Sequence, residues 1–179
     1  METSQQVKKS WKDNISTFIA ITTLVLAACA TLASFKAAGY GNKMVLAQNQ
    51  ASDQWAYYQA KSIKETTYEV ERDTMALAAQ QAGNPELYKA KIAEYNREIT
   101  RYQQEKEDIT KAAKRLEQER DNAQHFNGGF GQALIFLQIG ILLSSLASIN
   151  KQYMYWYIGL AVGGVGIIVF LYNFVSAAV

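Results

Sequence analysis

The chain has 179 residues, 49% of them apolar and 19% charged, with a formal net charge of +2. So small an excess of positive charge leaves no footprint for nucleic acid, and a single cysteine excludes an intrachain disulfide. The averages are those of a soluble protein, yet apolar and charged residues are segregated along the chain, which is what a membrane protein requires.

Residues 1–14 read as a basic tail carrying Lys8, Lys9 and Lys12. From Ile15 to Phe35 there is no charged residue for 21 positions. A hydrocarbon layer about 30 Å thick needs roughly 20 apolar helical residues, so 15–35 is expected to be a first transmembrane helix. Within it, Leu26-Ala27-Ala28-Cys29 resembles the lipidation box of bacterial lipoproteins. Apolar sequence continues past Cys29 to Phe35, however, so an uncleaved anchor is expected, with Cys29 a small residue in lipid.

Residues 36–129 are polar and electrically balanced, with 14 Lys/Arg and 14 Asp/Glu. Two runs of equal length, 44–82 and 86–124, lack internal glycine and proline, and each predicts a long helix. Between them stand Gly83, Asn84 and Pro85, the only proline of the chain. Glycine suits the left-handed position past a helix end, and proline the first turn of a helix, where a missing N–H costs nothing. The segment is therefore expected to be an antiparallel helical hairpin with its tip at 83–85, each arm about 58 Å long.

The second arm carries a strong coiled-coil signal: Tyr88, Ile92, Tyr95, Ile99, Tyr102, Lys106, Ile109, Ala113, Leu116, Arg120 and Ala123 alternate by four and three. In the first arm the same spacing selects Leu46, Asn49, Asp53, Ala56, Ala60, Ile63, Thr67, Val70, Thr74, Leu77 and Gln81. Folding the chain at the tip then sets Leu77 against Ile92, Val70 against Ile99, Thr67 against Tyr102 and Ala60 against Ile109, with Arg115 or Arg120 positioned to pair Asp53. With that seam, Ala51, Trp55, Tyr58 and Ser62 point outward, and Tyr57 lies at their flank. Exposed Trp and Tyr mark interfaces, so these five are the expected partner-binding residues; the alternative is that the rings pack on Tyr40 or on the bilayer surface. The outward face of the second arm, Arg97, Arg101, Gln104, Asp108, Lys111, Arg115 and Gln118, reads as a surface for water.

Residues 130–149 form a second uncharged stretch and 154–175 a third, joined by a turn at 150–153 and followed by a short tail at 176–179. Gly39, Gly41 and the run Asn127 to Gly131 mark places where membrane and polar helices are expected to bend. Gly140, Ser144, Ser148, Gly159 and Gly163 are the small residues expected at transmembrane packing faces, either within one chain or between subunits. Gln138 and Asn173 are expected to bond to a neighbouring helix. Trp11 and Tyr153 to Tyr157 read as an interfacial aromatic belt, which leaves membrane lipid as the first partner. Lys8, Lys9, Lys12 and Lys151 set the tail side as cytoplasmic and place the hairpin and C-terminus on the far side.

No catalytic constellation, cofactor loop or metal spacing is legible, and the single His125, next to Phe126, reads as an interfacial residue. No cofactor and no nucleic acid are expected, and an enzyme is disfavoured. The membrane stretches lack ionisable side chains, which disfavours an ion-coupled transporter. The leading expectation is a non-catalytic, membrane-anchored scaffold or accessory subunit, homo-oligomeric or part of a larger complex. The alternative is a small oligomeric channel or transport accessory.

The stretch Ser52 to Glu65, "SDQWAYYQAKSIKE", taken with three spans around a helical hairpin, resembles the family catalogued as domain of unknown function 4337. The resemblance is carried most specifically by Trp55, Tyr57, Tyr58, Gln59, Lys61, Ser62 and Lys64, and it extends over essentially the whole chain. It implies a bacterial membrane protein, for which the inner membrane is the expected location, and brings no activity, cofactor or catalytic residue.

Overall fold

The structure is a computed structural model that describes residues 2–81 and 85–178, with the side chains of 16–81 and 86–178. The described residues form three α-helices and no strand: α1 (Glu2–Gln81), α2 (Pro85–Asn150) and α3 (Tyr153–Ser176). Gly83 and Asn84 of the expected tip, and the side chains of the first 14 residues including Trp11, lie outside the described residues.

Each helix contains a stretch long and apolar enough to cross a membrane. The segment read as an N-terminal tail belongs to α1, and α1 runs through Gly39 and Gly41, as α2 runs through Asn127 to Gly131, without a break. A glycine costs only about 1 kcal/mol in a helix interior, and Tyr40, Phe126 and Phe130 beside these glycines pack in the core of the first unit. α2 starts at Pro85 with Glu86 in its first turn, where a negative charge meets the positive end of the helix. It ends at Asn150, and Lys151 makes the turn to α3 at φ 53°, in the left-handed region.

By internal contacts the chain divides into two units, Met1–Lys43 with Asn122–Val179, and Met44–Asp121. In the first, α3 packs on the apolar stretches of α1 and α2 around a core of Leu26, Ala30, Ala33, Phe130, Ala133, Leu137 and Phe170. Phe130 joins the helices: its ring lies 5.8 Å from that of Tyr40 on α1 and 6.0 Å from that of Phe170 on α3. Large residues elsewhere on these helices, such as Leu24, Phe35, Leu142 and Ile168, are exposed.

The second unit is made of the polar parts of α1 and α2. On α2 the residues turned inward are those of the expected seam, with Tyr95, Ile99, Tyr102, Ile109 and Ala113 buried. On α1 they are not. The inward positions are Ala47, Ala51, Gln54, Tyr58, Lys61, Glu65, Tyr68, Arg72, Met75 and Ala79, also spaced by four and three but displaced from the expected set by one and two residues alternately. A mean offset of about 1.5 residues turns a helix by roughly 150°. Leu46, Ile63, Val70 and Leu77, expected inside, are exposed, and Thr67 bonds the Ile63 carbonyl of its own helix. The expected pairing of Asp53 with Arg115 or Arg120 is also absent: Arg120 bonds Asp121 and Gln48.

Candidate functional site

What turned α1 is legible in the charges. Lys106 sits on the inward stripe of α2 between Tyr102 and Ile109, and a cation there needs an acid on the facing helix. Glu65 supplies it: the Lys106 ammonium pairs with the Glu65 carboxylate, whose side chain is 8% exposed. One turn away Lys61 Nζ lies 2.6 Å from Glu105 Oε2. The two pairs cross between the helices in opposite sense, a lysine on each strand of the seam, so sliding one helix by a turn would bring like charges together.

Tyrosine rings complete the arrangement. The Lys61 ammonium stands 5.1 Å from the Tyr57 ring centre and 5.3 Å from that of Tyr102, and Lys106 stands 5.4 Å from that of Tyr58. Such cation–π contacts grow as water is removed. Tyr68 packs between Tyr95 and Tyr102, both at 5.7 Å. Nearer the first unit's residues in sequence, Trp55 Nε1 donates to Glu117 Oε1 at 2.9 Å, with the Tyr58 ring edge-on at 5.7 Å. Arg120 Nη1 donates to Gln48 Oε1 at 2.8 Å.

These contacts correct the outward orientation expected of Ala51, Trp55, Tyr58 and Ser62. Ala51 is 1% exposed, and Trp55, Tyr58 and Ser62 are half-buried. Only Tyr57 stands open. Two of the aromatic residues expected on the outside turn toward α2 instead, Tyr58 to the Lys106 ammonium and Trp55 to Glu117. Sequence reasoning missed Lys61, Glu65 and Glu105. The signal that could have found them was Lys106 itself, a charge on an otherwise apolar stripe that demands an opposite charge at matching height.

The electrostatics follow the geometry. The hydrogen bond from Lys61 holds the Glu105 carboxyl below its ordinary range. The same bond, with one from Tyr57, raises Lys61, and the bond to Glu65 raises Lys106. A carboxyl held low contributes stability above its unfolded value near 4.3, and that contribution is lost as pH falls through the lowered value. An ammonium held high contributes stability below its unfolded value near 10.4, and loses it as pH rises through the raised value. Thermal unfolding of the full chain in detergent, followed by circular dichroism, should therefore show a plateau between about pH 5 and pH 10 with declines on both sides. In Glu105→Gln the acid-side decline should shrink; an unaltered acid limb would remove this pair from the account.

In the first unit, Gly140, Gly159 and Gly163 stand where α2 and α3 approach closely. A Cβ on Gly140 would lie 2.8 Å from Gly163 Cα, and one on Gly163 would lie 2.7 Å from Leu26 of α1. Ser144 is fully buried beside Gly159. Ser148 is exposed and Ala147 takes its expected place in the packing, since Gly140, Ser144 and Ala147 follow the spacing of one helix face. Gln138 is exposed. Asn173 bonds Val169 O of its own helix rather than a neighbour, and its amide occupies the space that a side chain at Gly129 would fill. The polar bridge between helices is made instead by Asn127, whose Nδ2 donates to Ala37 O at 2.7 Å. Trp156 Nε1 reaches Thr22 Oγ1 at 3.4 Å, and His125 lies exposed against Phe126. Among the described residues no three of His, Cys, Asp and Glu group closely enough to hold a metal ion.

These features define an all-helical protein whose three helices each carry a membrane-length apolar stretch, joined to a charged unit with ion-paired helices. The chain belongs to the family described as "domain of unknown function (DUF4337)", whose family model matches residues 15–176. No curated protein and no solved structure matches it.

Proposed function

We propose that the protein is a non-catalytic, membrane-anchored scaffold or accessory subunit. The observation that carries this reading is the division of its surfaces: one unit exposes leucine, isoleucine and phenylalanine on all three helices, and the other exposes lysine, arginine, aspartate and glutamate. Aliphatic surface of that extent suits lipid, and charged surface suits water. In this reading 15–35, 130–149 and 154–175 span the membrane, and Met44–Asp121 is the core of an antiparallel coiled-coil stalk between the first two spans. The contacts Gln48–Arg120, Trp55–Glu117 and Tyr68–Tyr102 support it, because rising numbers on α1 meet falling numbers on α2. The membrane is a bacterial inner membrane, with the N-terminus cytoplasmic and the stalk and C-terminus periplasmic, as the lysines flanking the short segments favour.

The charges of the seam are engaged with one another rather than aimed at a reacting centre, which suits a platform that holds other chains. The test is extraction of the full-length protein from its native membrane in mild detergent, followed by native mass measurement of the purified assembly. A mass above that of a single chain, from further copies or from another protein, is the expected result. A single chain with only bound lipid would overturn the scaffold reading.

A further inference from the structure

The turn of α1 leaves a second coiled-coil stripe facing away from α2. Ile63, Val70 and Leu77 are 68%, 60% and 61% exposed, and Ala60, Thr67 and Thr74 between them are exposed as well. The alternation by three and four is unbroken from Ala56 to Gln81, and an open groove of about 710 Å³ runs along it beside Ile63, Thr67 and Val70. A helix that carries one satisfied seam and one open seam is built to pack on both sides. Resting on the scaffold reading, and naming its partner, we propose that a second copy of this chain docks here through the same stripe of its own α1, antiparallel and related by a two-fold axis near residues 68 and 69.

Three observations select this occupant and this direction. The first is shape. With the axis placed there, Ala60 faces Leu77 of the second copy, Ile63 faces Thr74 and Thr67 faces Val70, so the outer layers set a large residue against a smaller one and the central layers match two side chains of nearly equal size, as close packing asks. The second is charge. Lys64 and Glu71 flank the stripe on one side, both exposed, and the antiparallel register sets each Lys64 beside the Glu71 of the other copy, giving two symmetry-related pairs. The third is what the parallel register would do. It would bring Asp53, which continues the same stripe, against Asp53 of the other copy, whereas in the antiparallel register Asp53 falls beyond the overlap. An overlap of 26 residues about 10 Å wide gives an interface of roughly 800 Å² in total, the size of a reversible, concentration-dependent association.

The test uses the full-length protein in detergent, in a Cys29→Ser background. Ala60→Cys with Leu77→Cys should give a covalent dimer on mild oxidation, because the two sites meet only between copies: within one helix they lie about 25 Å apart, too far for a disulfide. Leu77→Cys alone should give little. No dimer from the double variant, or equal dimer from Leu77→Cys alone, would overturn the proposal. Separately, Lys64→Glu should lower the dimer association constant roughly tenfold, and adding Glu71→Lys should restore it. Failure of the restoration counts against the register. A chain that stays monomeric yet holds another protein would keep the scaffold reading and discard this one.

Discussion

Glu65→Ala is expected to destabilise the charged unit by about 2 to 3 kcal/mol, because it leaves the Lys106 ammonium on the inward stripe without an acid. The estimate sits below the full cost of a deeply buried pair, since the Lys106 side chain keeps 18% of its exposure. The diagnostic partner is Glu65→Leu with Lys106→Met. Removing both charges while keeping volume should return stability to that of the unaltered chain or exceed it, since neither member then pays desolvation. Unfolding of the full-length protein in detergent, monitored by circular dichroism, measures both. If the double variant is as unstable as Glu65→Ala, the pair is not what holds α1 in its orientation. The double variant has a second use. With only the Lys61–Glu105 pair left to dictate which face of α1 turns inward, Ile63, Val70 and Leu77 compete better for the seam, so a protein that is stable but less specific is the outcome to look for.

Gly140→Ala is the second large effect. Its added Cβ would meet Gly163 Cα at 2.8 Å and Gly159 O at 3.0 Å. Both are backbone atoms on α3, which cannot swing aside as a side chain can, so the helices must separate. Overpacking of this kind costs about 1 to 3 kcal/mol, and lost packing along the core that contains Leu26 and Leu137 adds to it. Gly164→Ala is the control: nothing lies within 4 Å of a Cβ there, and alanine should stabilise the helix by up to about 1 kcal/mol. Heat inactivation of the detergent-solubilised fold, read as the loss of monodisperse protein, should rank Gly164→Ala at or above the unaltered chain and Gly140→Ala well below it. Equal behaviour of the two would mean that the close approach at Gly140 does not exist in solution.

Ser144 shows how the same packing treats a polar group. Its hydroxyl is buried without a hydrogen-bond partner among the described residues, beside Gly159, where an alanine would meet its oxygen at 3.0 Å. The small volume of serine is what the site uses. A larger apolar residue there would press on α3, much as Gly140→Ala does.

The helical class, the three apolar stretches and the inward stripe of α2 were determined by the sequence alone. Their causes are local: a run of about 20 residues without charge, or an apolar repeat of 3.5 sustained from Tyr88 to Ala123, needs no knowledge of what lies opposite. Even Lys106 and Arg120, which break the apolar pattern, fall where the repeat puts them. The inward face of α1 was decided only by tertiary structure. Hydropathy on that arm favours Ile63, Val70 and Leu77, and a helix taken alone has no reason to choose Glu65 and Lys61 instead. The choice is made by α2, whose Lys106 needs an acid at one height and whose Glu105 needs a base one turn away, while Tyr68 fills the space between Tyr95 and Tyr102. No single term makes that choice: two crossing ion pairs and the packing of Tyr68 on Tyr95 and Tyr102 are gained together, and with them the face that looked like the core became the surface.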